Sequence, residues 1–151
     1  MKDNTLFIAK VTLCVMLAFF AVIVSYIAIP GFFAVKRAVF PAVVLSALAF
    51  FLLGLLLIFL ALKLKERGKM KKSLILTGAS ASGVFVSAIL HNLIYGLLIH
   101  LFGTDVWDRI GLPDEPLFFL LAIFVCPILF LIGAVSSIVL FAKRTSQIQT
   151  G

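Results

Sequence analysis

Carboxylates are scarce in this chain: six Asp and Glu stand among 151 residues, against 13 Lys and Arg. None of the six falls within the four long apolar runs, which cover roughly residues 6–29, 38–62, 73–102 and 117–142. An acidic side chain inside a span is the usual device of proton-coupled exchange and of ion relays, so its absence argues against those mechanisms. Arginine is also missing from the runs, and Lys10 lies close enough to one end to snorkel. Catalytic signatures are missing too. There is no HExxH, no nucleophile elbow, no pair of intramembrane carboxylates and no phosphate-binding glycine loop; Gly78 to Gly83 carries no lysine where such a loop needs one. The two cysteines, Cys14 and Cys126, form no CxxC pair. Their expected depths differ by about 10 Å, beyond the roughly 4.4–6.8 Å that a disulfide spans between Cα atoms.

What the chain has in abundance is hydrocarbon. Apolar residues make up 64% of it, whereas a soluble domain averages about 45–50%. A bilayer core of about 30 Å needs ~20 helical residues, and every run supplies that many. The expectation is an all-α integral membrane protein with four transmembrane helices in an antiparallel bundle. The connections Lys63–Lys72 and Gly103–Pro116 are too short to build a core, so residues 1–151 form a single membrane domain. The first run reads as a retained helix, because Val11 to Ile29 exceeds the ~7–15 residues of a signal-peptide core.

The net charge of +7 sorts by connection, which makes it a topology signal rather than a footprint for nucleic acid. Ten basic residues (Lys2, Lys10, Lys63, Lys65, Arg67, Lys69, Lys71, Lys72, Lys143 and Arg144) share one side if the chain crosses four times. Only Lys36, Arg37 and Arg109 lie opposite. The positive-inside rule then places both termini in the cytoplasm, as in a multi-pass protein of a cytoplasmic or equivalent inner membrane. A functional alternative for Lys63–Lys72 is recognition of anionic lipid headgroups, at ~1 kcal/mol per charge.

Small residues mark where helices meet, because lipid offers little hydrophobic force to join them. Gly78, Ala79, Ser82 and Gly83 concentrate at the cytoplasmic half of the third run, and Ala79, Gly83 and Ser87 fall at i, i+4 and i+8. Gly133 and Ser137 form a matching patch on the fourth, facing either the first patch or a second subunit. Gly54 or Ser46 marks any contact made by the second run. Pro127 predicts a kink in the last helix. The outer connection is expected to be short and ordered, with Thr104 capping a turn that carries Trp107 at headgroup level. Asp114 and Glu115 precede Pro116, where acidic groups complement the macrodipole, and His100 lies near the outer interface.

His91, Asn92 and Tyr95 form a polar cluster on the third run, just outside mid-membrane, sharing an arc of about 100° into which Ser87 leads. As a clamp between helices it would pair with Tyr26 and Ser25 or with Cys126, at about 0.6 kcal/mol per bond. As a ligand set it would use His91 to hold haem or chlorin. His100 cannot complete a bis-histidine site in one subunit, since nine residues turn it about 900°, to the opposite side of the helix. No metal site and no catalytic set is expected. The leading functional reading is a non-catalytic accessory subunit, assembly factor or scaffold, joined to copies of itself or to a larger membrane complex. The alternatives are an oligomeric channel or carrier for a small neutral solute or anion, and a lipid- or quinone-active enzyme that uses His91 and Tyr95 as general acid and base.

Overall fold

A computed structural model describes residues 2–28, 33–64, 68–111 and 116–149. They form helices α1 (Lys2–Ala28), α2 (Phe33–Lys63), α3 (Lys69–Phe102), α4 (Val106–Ile110), α5 (Pro116–Leu120) and α6 (Cys126–Gln149), with a π-helical turn, Leu121–Val125, between the last two. No strand occurs among the described residues. Four helical stretches, Asn4–Ala28, Lys36–Lys63, Lys69–Phe102 and Pro116–Arg144, are long and apolar enough to cross a membrane. The chain is a multi-pass helical bundle.

Each helix runs past the apolar stretch that defines it. α3 begins at Lys69 rather than Ser73, and α6 continues to Gln149. Lys and Arg are good helix formers, and a helix that leaves lipid meets no penalty for continuing into the headgroups. Pro41 lies inside α2, two turns from its start. Pro127 shows its effect one turn earlier. It has no N–H to donate to residue 123, and the preceding turn widens, so that the Cys126 N–H bonds Leu121 O in the i→i+5 pattern.

α3 packs against α2 on one side and α6 on the other, and α2 also packs against α1. α1 reaches α6 through its side chains: Phe20 and Phe130 have ring centroids 4.8 Å apart. Phe50 of α2 completes the group, 6.0 Å from Phe20 and 5.0 Å from Phe130. This triad is the centre of a buried cluster with Leu13, Met16, Leu57 and Leu74 around it. The contact registers are ordered: as α3 advances from Ser73 to Thr77, its partners on α6 recede from Ser137 to Gly133. Lys10 stands over the Phe141 ring at 5.3 Å, and Lys36 over Tyr26 at 5.7 Å. Lys63, Lys69 and Lys143 thus fall towards one end of the bundle and Trp107 towards the other. They are called below the basic end and the aromatic end.

Candidate functional site

In the basic half of α3, glycine and hydroxyl side chains are consumed by packing. A Cβ on Gly78 would stand 2.6 Å from the Gly54 carbonyl oxygen, and one on Gly54 would stand 2.9 Å from that of Gly78. The two backbones touch because neither residue has a side chain. On the other side of α3, a Cβ on Gly133 would stand 2.9 Å from the Thr77 amide nitrogen. Ser73 Oγ donates to Gly133 O at 2.9 Å and lies 3.0 Å from Ser137 Oγ. Thr77 and Ser80 return their hydroxyl protons to their own helix, at Ser73 O and Leu76 O. Gly133 and Ser137 therefore face Ser73 and Thr77 rather than the expected patch, of which Gly78 meets Gly54 and Ser82 turns towards α2, its Oγ 3.5 Å from Phe51 O.

Several sequence expectations need correction. Ala79 lies outside the seam and is exposed, whereas Gly83 packs against Cys126: a Cβ there would meet Sγ at 2.9 Å. The two faces diverge because α3 is flanked by two helices, and Gly78, not Ala79, points at α2. Of Gly54 and Ser46, it is Gly54 that touches α3, while the Ser46 hydroxyl bonds Ala42 O within α2 at 2.8 Å. Ser25 is exposed, and Tyr26 stacks with Lys36 rather than with the His91 group. Cys126 faces Ser87. Both cysteines are free thiols.

The polar cluster divides in three. His91 and Tyr95 stack along α3 with ring centroids 6.5 Å apart; His91 lies 5.6 Å from Phe119 of α5, and Tyr95 lies 5.5 Å from Trp107 of α4 at an interplanar angle of 10°. Asn92 points elsewhere. It is exposed, and its amide donates to Ala88 O at 2.8 Å within the helix. Ser87 sits apart, buried. His91, Tyr95, Phe119 and Trp107 gather at the aromatic end of the bundle.

Trp107 anchors that end. It is 6% exposed, and its Nε1–H is buried with no hydrogen-bond partner. The turn that carries it is not capped by Thr104. Asp105 occupies the N-cap position without a capping side-chain bond, and its carboxylate instead accepts from Arg109 Nε at 2.8 Å. That hydrogen bond, aided by a backbone one, holds the exposed Asp105 carboxyl below its ordinary value of 3.8. Two glycines with positive φ, Gly103 at 91° and Gly111 at 75°, close α3 and α4 in conformations that disfavour a Cβ. Asp114 and Glu115 lie outside the described residues, as do Lys65, Glu66 and Arg67.

No family model, curated protein or solved structure matches this chain. Function therefore rests on the site itself. Among the described residues no group of three or more His, Cys, Asp or Glu side chains converges as metal ligands would. One surface stands out. Asn92, Gly96 and His100 recur at i, i+4 and i+8 on an exposed edge of α3, and a Cβ on Gly96 would have nothing within 4 Å. The sequence displayed all three residues, but only the packing of α3 reveals that Asn92 parts company with His91 and joins this edge.

Proposed function

We propose that the chain is a non-catalytic subunit, scaffold or assembly factor that pairs through α3 with another membrane helix, in a copy of itself or in a larger complex. The observation that carries this reading is the exposed Asn92, Gly96 and His100 edge with open space at Gly96. A small residue flanked by amide and imidazole groups is the surface on which lipid-embedded helices approach closely and exchange hydrogen bonds. The hydroxyls of the opposite half of α3 are already bonded inside the bundle. The reading includes an antiparallel bundle with both termini at the basic end, in the cytoplasm. It is supported by the opposed registers of α3 and α6 and by the bias of ten basic residues against three.

Cross-linking in the native membrane, followed by sizing in mild detergent, tests it. Wild-type chain is expected to run as a complex. Gly96→Leu, which fills open space and spares the bundle, is expected to release the monomer with an unchanged melting point. A wild-type chain that stays monomeric and captures no other membrane protein ends the proposal.

A second reading, a ligand held at the aromatic end by His91, Tyr95 and Trp107, is favoured by the unpartnered Trp107 indole N–H. A quinone carbonyl, a headgroup ester or a pigment at His91 would each supply the missing acceptor. Organic extraction of the purified protein and its visible absorption spectrum separate these from the first reading.

A further inference from the structure

At the basic end a groove of about 520 Å³ opens between α3 and α6. Its walls along the helices are Leu76, Val135, Val139 and Leu140, and its mouth carries Lys69 and Lys72. On α3 the lining positions 69, 72 and 76 repeat at helical spacing, so the ammonium groups lie up to about 10 Å nearer the membrane surface than Leu76. Val135 and Val139 are 58% and 46% exposed, which leaves the groove open sideways to lipid. The neighbouring Lys71 is engaged elsewhere: its Nζ donates to the Leu62 and Leu64 carbonyl oxygens at the end of α2, at 3.2 and 3.4 Å. No carboxylate pairs with Lys69 or Lys72 among the described residues.

We infer that this groove is a binding site for one anionic phospholipid, its phosphate held between Lys69 and Lys72 and an acyl chain laid along Leu76, Val135 and Val139. The argument is one of matched polarity at matched depth. Two ammonium groups with no carboxylate partner among the described residues stand where a headgroup phosphate would lie, and the apolar channel begins about one turn deeper, where the glycerol gives way to hydrocarbon. A basic loop used only for orientation needs charge but no groove. A free inorganic anion would use the lysines but leave the apolar channel without an occupant. This site is separate from the Asn92 edge and stands whether or not that edge finds a partner.

The test is native mass spectrometry of the full chain in non-ionic detergent, offered equimolar dioleoyl phosphatidylglycerol and dioleoyl phosphatidylcholine. Two lysines near the surface predict a preference for the anionic lipid of roughly 30-fold at low salt. Lys69→Ala with Lys72→Ala should bring that ratio close to one with an unchanged melting point, since both side chains are exposed. Val135→Trp, which fills the channel, should reduce the adducts of both lipids. Lys63→Ala at the same end, whose ammonium stands over the Phe59 ring at 4.3 Å, should change nothing. Equal binding of the two lipids overturns the proposal, and so does an equal loss with Lys63→Ala, which would make the preference a diffuse charge effect. Displacement of the lipid by excess inorganic phosphate also overturns it, by showing that the apolar channel contributes nothing. If Val135→Trp fails to fold, the lysine pair and its Lys63 control still decide.

Discussion

Two glycines with the same chemistry have opposite worth in this molecule. Gly78 is buried against the backbone of Gly54, so a methyl group there must displace a carbonyl oxygen 2.6 Å away. Gly96 faces open space. Gly78→Ala is therefore expected to destabilise the isolated bundle by about 1–3 kcal/mol, the usual range for overpacking. Gly96→Ala should leave it as stable or slightly more so, by up to about 1 kcal/mol from helix propensity alone. Thermal unfolding in detergent, followed by circular dichroism, measures both. At this scale the sequence was informative about residue type and silent about direction. Small residues in the third run announced close contact, but they cluster so densely from Thr77 to Gly83 that every face of the helix carries one. Which face meets α2, which meets α6 and which is left exposed, as at Ala79, follows from the placement of two neighbours that the sequence does not specify locally.

The π-helical turn before Pro127 resets the phase of the last span just where it touches α3. Cys126, next to the proline, then lies against Gly83 and opposite Ser87. A Cβ on Gly83 would meet the Cys126 sulfur at 2.9 Å and its Cβ at 3.9 Å, with nothing else within 4 Å. Gly83→Ala should thus lower the melting point alone, and Cys126→Ala should largely restore it, because the second change removes the one atom in the way. A double-mutant cycle measures the coupling. Additive effects would show that the contact is not the cause. The helices themselves were legible, since an apolar run of ~20 residues has few other fates in lipid. The π turn was not, although its cause was: a proline inside a span predicts some disruption, without saying whether a kink or a widened turn relieves it. The cap of α4 was misplaced by one residue, because Asp105 binds Arg109 one turn on rather than the amides that Thr104 was expected to satisfy.

For the molecule as a whole, the proposed threading, with both termini at the basic end in the cytoplasm, rests on the bias of ten basic residues against three. Cysteines placed singly at Asp3, Gln147 and Asp108 in a Cys14→Ala, Cys126→Ala background should report the arrangement. An impermeant thiol reagent added outside intact cells is expected to label position 108 and neither of the others; labelling of position 3 or 147 from outside would refute the orientation. The sequence alone suggests that orientation, because loop charge is a property of segments and needs no knowledge of contacts. It could not place the Phe20, Phe50 and Phe130 triad, since 16 phenylalanines are spread through the chain and nothing distinguishes these three before the helices are assembled.

α3 also has 34 residues. Its uncharged part, from Ser73 to Phe102, measures about 45 Å at 1.5 Å per residue, against a hydrocarbon slab of about 30 Å. The surplus has to be absorbed by leaning or by stretching the surrounding lipid, at a fraction of a kcal/mol for each ångström. α2 and α6 are bound to α3 through glycine contacts, so they lean with it. The protein is therefore expected to be more stable in thick, long-chain membrane than in thin, which its melting point in bilayers of graded acyl length measures.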